Sequence, residues 1–124
     1  MALKISNTTI VDNNRNVINY GTTITAIGNA TGATSINLSN GNYFTATTTG
    51  STTWTFSGQL SSSFNGFILK LTNGGSATQT WPTGIKWPGG TAPTLTTSGI
   101  DVLVFITDDN GTTWRGIASM LDSK

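Results

Sequence analysis

The chain of 124 residues contains no cysteine and no histidine, and its five acidic residues are all aspartate. Without those side chains, zinc and haem sites, Ser-His-Asp triads and cysteine nucleophiles lose their usual residues. A general acid or base would have to be an aspartate, a lysine, a tyrosine or a terminus. We therefore expect no enzymatic activity, no catalytic residue, no cofactor and no metal.

Charge is also scarce: charged residues make up 9% of the chain and the formal net charge is +1. Binding to nucleic acid or to an anionic membrane surface uses a strong basic field, which this chain does not supply. No apolar run approaches the ~20 residues that span a bilayer. Residues 1–6 contain no apolar stretch like that of a secretion signal, so we expect synthesis and retention in the cytoplasm.

What the chain has in abundance is Thr, Gly, Ser and Asn, which together supply 64 of its 124 residues. Strong helix formers are few. Chains rich in threonine and aromatic residues suit pleated, half-buried surfaces that are joined by Gly and Asn turns. This composition predicts one all-β domain, since the length suffices for one core and not for two.

Turn signals divide the sequence into short strands. The dipeptides Asn40-Gly41, Asn65-Gly66 and Asn110-Gly111 favour left-handed turn positions. Two alternating runs flank Thr49-Gly50-Ser51, which predicts a hairpin. The run 100–106 is apolar on both faces and predicts a central strand that is covered on each side.

Seven or eight such strands predict an antiparallel β-sandwich, jelly-roll-like, over residues 21–124. Residues 76–99 contain three prolines, so we expect a loop with short edge strands there. Residues 1–20 are polar and turn-prone and are predicted to form a short extended N-terminal arm.

An acidic turn and a single aspartate are candidate sites. Asp108-Asp109-Asn110-Gly111 offers oxygen ligands as a calcium loop does, but it lacks that loop's other ligands and lies where a hairpin turn is needed, so a turn is favoured. Asp101 lies in an otherwise apolar strand, so it either begins the strand at the surface or pairs with a cation. The candidate cations are Lys70, Lys86 and Arg115, and a structural role is favoured.

The four tryptophans suggest a second kind of site. Trp81 and Trp87 lie in the proline-rich segment, where flat rings could stack on sugar rings, and they are the candidate ligand contacts. The competing interpretation is that Trp54 and Trp114 fill the core and the two Trp-Pro pairs fix the loop to it. That interpretation is favoured, because large aromatic residues dominate the cores of small β domains.

The run Trp-Pro-Thr-Gly-Ile-Lys-Trp-Pro-Gly-Gly-Thr-Ala-Pro at 81–93 resembles a module that recurs in bacteriophage virion proteins. The start of the chain is similar to the opening of tail-fibre proteins of marine phages, including those of cyanobacteria. This chain departs from the fibre pattern, because it has neither the length nor the repeats of a shaft. The segments that carry the resemblance are 3–16, 44–47, 53–56, 67–75, 80–95, 101–105 and 109–116.

The resemblance implies a structural protein and no catalytic residue. Together with the uncharged β surface, it leads us to expect a non-enzymatic virion protein, either a tail fibre or knob or a capsid decoration module. Its partners would be copies of itself, as a homotrimer, and other virion proteins, and it would lie in the virion after assembly in the host cytoplasm. The alternative is a carbohydrate- or receptor-binding module for a host surface glycan. A hydrolase that uses Asp101 or Asp109 is the third class, and spacing supplies no second carboxylate for it.

Overall fold

The computed structural model describes residues 3–5, 8–11 and 23–124. In those residues the regular structure is β-strand, interrupted by three short 3₁₀ turns at Leu38–Asn40, Gly74–Ser76 and Pro88–Gly90. The strands are β1 (Leu3–Ile5), β2 (Thr8–Val11), β3 (Ile24–Asn37), β4 (Tyr43–Ser57), β5 (Asn65–Thr72), β6 (Gln79–Thr80), β7 (Ile85–Lys86), β8 (Ile100–Thr107) and β9 (Trp114–Met120).

The first two strands pair with each other and form a two-stranded antiparallel sheet apart from the main sheet. Both lie in the segment 1–20 that the sequence predicts to be an arm. The remaining residues of that segment, 1–2, 6–7 and 12–20, lie outside the described residues. The assignment of residues 1–20 as an extended arm therefore stays a prediction.

The two longest strands, β3 and β4, run parallel to each other, with Ile24 beside Tyr43 and Asn37 beside Ser57. A straight strand of 14 residues would be about 46 Å long, since each residue advances about 3.3 Å. Residues 38–42 can reach back only about 20 Å. The strand β3 must therefore bend, and its register shifts at Gly28 and Gly32, whose φ angles are 82° and 63°.

The predicted hairpin around Thr49-Gly50-Ser51 is wrong, because both of its arms belong to the single strand β4. A tight hairpin turn needs positive φ at its central residues, and Gly50 does not have it. Instead the strand bends there and follows β3: Ala30 lies beside Thr48 and Gly32 beside Thr52. The alternation of inward and outward side chains was predicted correctly, whereas the strand direction was not.

In the other half of the main sheet β5, β8 and β9 are antiparallel to their neighbours in this group, as predicted, whereas β7 runs parallel to β9. β8 pairs with β5 on one side and with β9 on the other. The turn between β8 and β9 contains Asn110 and Gly111, both with positive φ, which confirms the predicted Asn-Gly turn. The Asn65-Gly66 turn is wrong: Asn65 begins β5, and its buried side-chain amide donates to the carbonyls of Leu60 and Ser63 and closes the preceding loop.

The main sheet bends over itself and encloses one core. The first half of β4 pairs with β5, whereas the second half carries Phe56, whose ring lies 4.9 Å from that of Phe67 on β5. The all-β, β-sandwich-like class predicted from the sequence is therefore confirmed, in one mixed sheet of seven strands. The buried apolar residues are Ala30, Ile36, Phe44, Ala46, Trp54, Phe67, Leu69, Leu71, Ile85, Leu103, Phe105 and Trp114.

The segment 76–99 is a loop with short strands, as predicted. β6 pairs with the second half of β4, and β7 pairs with β9 at the far edge of the main sheet. This loop brings both candidate tryptophans, Trp81 and Trp87, onto the aromatic core.

Candidate functional site

The two candidate ligand contacts, Trp81 and Trp87, are partly buried and pack against the core. The Trp81 ring is stacked on Trp54, with the ring centroids 5.6 Å apart and an interplanar angle of 11°. Trp87 meets Phe105 edge to face at 5.6 Å. Both loop tryptophans thus contribute aromatic contact area to the core, as the favoured interpretation predicted.

The two rings do not form one flat platform. Their centroids are 5.8 Å apart, but their planes are inclined by 66°. Trp81 borders a hollow of about 160 Å³ with Pro93 and Leu95, and Trp87 borders a separate hollow of about 350 Å³ with Ile106 and others. One face of a sugar ring could therefore stack on only one of these tryptophans at a time. The role of Trp81 and Trp87 as ligand contacts stays a prediction.

The carboxylate of Asp101 is fully buried and holds two chain segments together. It accepts hydrogen bonds at 2.7 Å from both the backbone N–H and the hydroxyl of Thr96, and one at 2.9 Å from the backbone N–H of Asp122. Neither predicted alternative holds, since Asp101 is not at the surface and its bonding partners are backbone and hydroxyl groups rather than a cation. The favoured structural role is confirmed, because a buried carboxylate is stabilised by such donors.

The Asp108-Asp109 pair lies in the β8–β9 turn. Asp109 Oδ1 accepts from the backbone N–H of Thr113 at 2.8 Å and from the hydroxyl of Thr107 at 2.9 Å. The hydrogen bond from the Thr113 N–H is the main reason that the pKa of Asp109 lies below its ordinary value. The turn interpretation is confirmed; in the described part of the chain no three acidic side chains come together as a metal site.

One surface was not predicted from the sequence. We call it the outer face: the outward side chains of β5, β8 and β9, on the side opposite the core. Ile106 is 37% exposed and Ile117 is 50% exposed. The prediction that both faces of the strand at 100–106 are covered is therefore wrong for this side, although β8 is central in the sheet. The apolar members of the outer face are Ile68, Val102, Val104, Ile106 and Ile117.

Two basic residues lie side by side at one margin of the outer face. Lys86 on β7 and Arg115 on β9 are cross-strand partners, both are exposed, and both border the 350 Å³ hollow. Like charges opposite each other in a sheet repel. The salt bridge found within the described residues, between Lys124 and Asp122, involves neither of them. Among the described residues neither cation has an ion-pair partner, and both lie next to the apolar side chains of the outer face.

Asp101 and Asp109, the two carboxylates considered for hydrolysis, each accept several hydrogen bonds that hold the fold. Among the described residues, none belongs to a helix long and apolar enough to cross a membrane. No family model, no curated protein sequence and no solved structure matches the chain.

Proposed function

We propose that the chain is a non-enzymatic structural module of a bacteriophage virion, either a tail fibre or knob or a capsid decoration module, which assembles as a homotrimer. The observation that carries this proposal is the edge strand β3. It spans 14 residues, contains no charged residue and no proline, and pairs with β4 alone among the described strands.

Long uncharged edges are unusual on proteins that work as monomers. Such an edge presents unpaired backbone N–H and C=O groups to other chains, and monomers usually protect it with lysine, proline or short length. A protein whose function is assembly has no need of that protection. The polar, uncharged side chains of β3 and β4 also suit contacts with other virion proteins, because threonine and serine rows can hydrogen-bond across strands.

The resemblance of the segment 81–93 to phage virion proteins adds the particle to this proposal. Antibodies against the chain would test it by immunogold electron microscopy of purified particles of the phage that encodes it. We expect gold at a fixed position on the tail or capsid. Protein that stays in the soluble fraction of the lysate, with unlabelled particles, would contradict the virion assignment.

The N-terminal segment 1–20 has a separate role in this proposal: it docks the module on the virion or exchanges with a neighbouring copy. The comparison is between particles assembled with the full chain and with residues 21–124 alone. Lower occupancy of the truncated chain supports the docking role. Unchanged occupancy of a folded, truncated module would refute it without affecting the assignment to the virion.

A second candidate function is binding of a host surface glycan, and the partial exposure of Trp81 and Trp87 favours it. Each ring borders a hollow, so a sugar that stacks there would change its surroundings. Tryptophan fluorescence is the readout, with host polysaccharide as the probe and Trp81→Phe and Trp87→Phe as variants. A saturable shift that is lost in one variant supports glycan binding, and a spectrum that does not respond at any concentration argues against it.

A further inference from the structure

We propose that the outer face is the surface through which three copies of this chain meet, with Arg115 and Lys86 of each copy against Asp108 of the next. This inference rests on the proposed homotrimer and adds the contact surface to it. The occupant of the face is therefore a second copy of the chain.

The first argument is the extent of the exposed apolar surface. Ile106 borders three adjoining hollows of about 350, 250 and 70 Å³, which together cross the face from Trp87 to Phe64. Phe64 itself is 70% exposed. Exposed apolar side chains that lie next to one another on a sheet face favour contact with another molecule. Because it extends over three strands, it fits another protein surface better than a small ligand.

The second argument is charge. Lys86 and Arg115 repel each other across β7 and β9, and an anion next to them would relieve this repulsion. Asp108 is exposed at the same end of the face, and in the described residues no hydrogen bond or ion pair engages its side chain. Asp108 and Arg115 border one shared hollow without forming a salt bridge within the chain. The outer face therefore carries both cations and a carboxylate that form no salt bridge among the described residues.

Arg115, Lys86 and Asp108 lie at positions in the sheet that can meet between copies. β8 lies in the middle of the outer face, with β5 on one side and β9 and β7 on the other. If three copies turn β8 toward a common axis, the β9–β7 side of each meets the β5 side of the next. Arg115 lies beside Ile106, the last outward residue before Asp108, so the cations of one copy reach the Asp108 end of its neighbour. Such a head-to-tail contact closes into a ring of three when neighbouring copies are related by a third of a turn.

The neighbour's Phe64 lies at this same end of the face, because it precedes Asn65, the first residue of β5. An arginine that reaches the next copy would lie close to this exposed ring as well as to the carboxylate. Guanidinium groups stack favourably on aromatic faces. The contact thus combines an apolar centre around Val104 and Ile106 with a charged margin, as specific protein interfaces do.

Charge reversal tests the proposal, with light scattering after size exclusion as the measurement of mass. We expect Arg115→Asp to reduce the mass about threefold, from trimer to monomer. The double variant Arg115→Asp with Asp108→Arg restores the opposite charges between copies, and we expect it to be a trimer again. Lys124→Asp is the matched control, because it reverses a charge at the exposed C-terminus, and its mass should stay that of the trimer.

A second variant, Ile106→Lys, introduces a charge into the apolar centre at a position that is already partly exposed, so it should fold and be monomeric. Circular dichroism verifies that each variant is folded. A trimer in both Arg115→Asp and Ile106→Lys would overturn the assignment of the face and leave the homotrimer standing. A monomeric wild type would overturn both the homotrimer and the assignment of the outer face to it. Binding of dodecanoate to that monomer, lost in Arg115→Asp, would assign the outer face to an anionic amphiphile instead.

Discussion

Asp101 shows how a single buried side chain can hold a fold of this kind together. Its carboxylate accepts two hydrogen bonds from Thr96 and one from Asp122, and so joins the loop before β8 to the chain after β9. Asp101→Asn keeps the size but removes the charge and turns an N–H group toward these donors. We expect it to lower the free energy of unfolding by about 2–3 kcal/mol, since buried donors lose their acceptor.

Urea denaturation of the variant and wild type measures this loss. Asp122→Asn is the matched control, because it keeps the backbone N–H that donates to Asp101 and removes an exposed salt bridge to Lys124, which should change stability by less than about 1 kcal/mol. An Asp101→Asn midpoint equal to that of the wild type would show that the three bonds contribute nothing to stability.

Asp109 gives the molecule a pH dependence whose sign can be derived. The Thr113 N–H keeps the pKa of this carboxyl below its ordinary value of 3.8 in the folded chain. Its contribution to stability is therefore fully present above pH 3.8 and is lost as the pH falls through the lower, folded-state pKa. Asp109→Asn can still accept the bond but does not titrate.

Thermal unfolding of Asp109→Asn and wild type, followed from neutral pH to below pH 3.8, is the measurement. We expect the variant to lose less stability than the wild type over the acidic part of this range. Parallel curves for Asp109→Asn and wild type would contradict the role of the Thr113 bond.

At the scale of the element, the bends of β3 allow two parallel strands to be joined by a short link. Gly32 lies at one bend with a φ of 63°, and an added Cβ would meet nothing within 4 Å. The cost of Gly32→Ala is therefore one of backbone conformation, about 1–2 kcal/mol. Gly32→Asn should cost less, because asparagine tolerates this conformation. Equal stability of both variants and wild type in urea would contradict the bend.

Some strand pairings could be predicted from the sequence and others could not. The Asn110-Gly111 turn predicted the antiparallel pair of β8 and β9, because neighbours joined by a tight turn are encoded locally. Alternation predicted β5 as a strand but not its pairing with β8, from which 27 residues separate it. The parallel pairing of β3 with β4 was missed. It depends on two bends that match across about 20 residues of chain, and Gly50 alone does not reveal whether the strand turns back or continues.

The candidate sites divide in the same way. The turn role of Asp109 follows from its neighbours in sequence, so it was predictable. The partners of Asp101 were not, since Asp122 approaches it from the far end of β9. The outer face was missed because an apolar strand reads the same whether its second face meets the chain itself or another molecule. Only the position of β8 in the sheet distinguishes these cases.

At the scale of the whole molecule, we propose that the chain assembles with copies of itself. Three features support it: an uncharged edge at β3, an exposed apolar outer face, and two adjacent cations that pair with no acidic side chain of the described residues. Each would be a liability for a monomer, because exposed edges and apolar patches promote uncontrolled association.

The most direct test is the mass of the wild-type protein in solution, measured by light scattering after size exclusion over a range of concentrations. From the proposed homotrimer we expect a particle of about three times the chain mass of 12.9 kDa, stable on dilution. A mass of one chain at every concentration would contradict it.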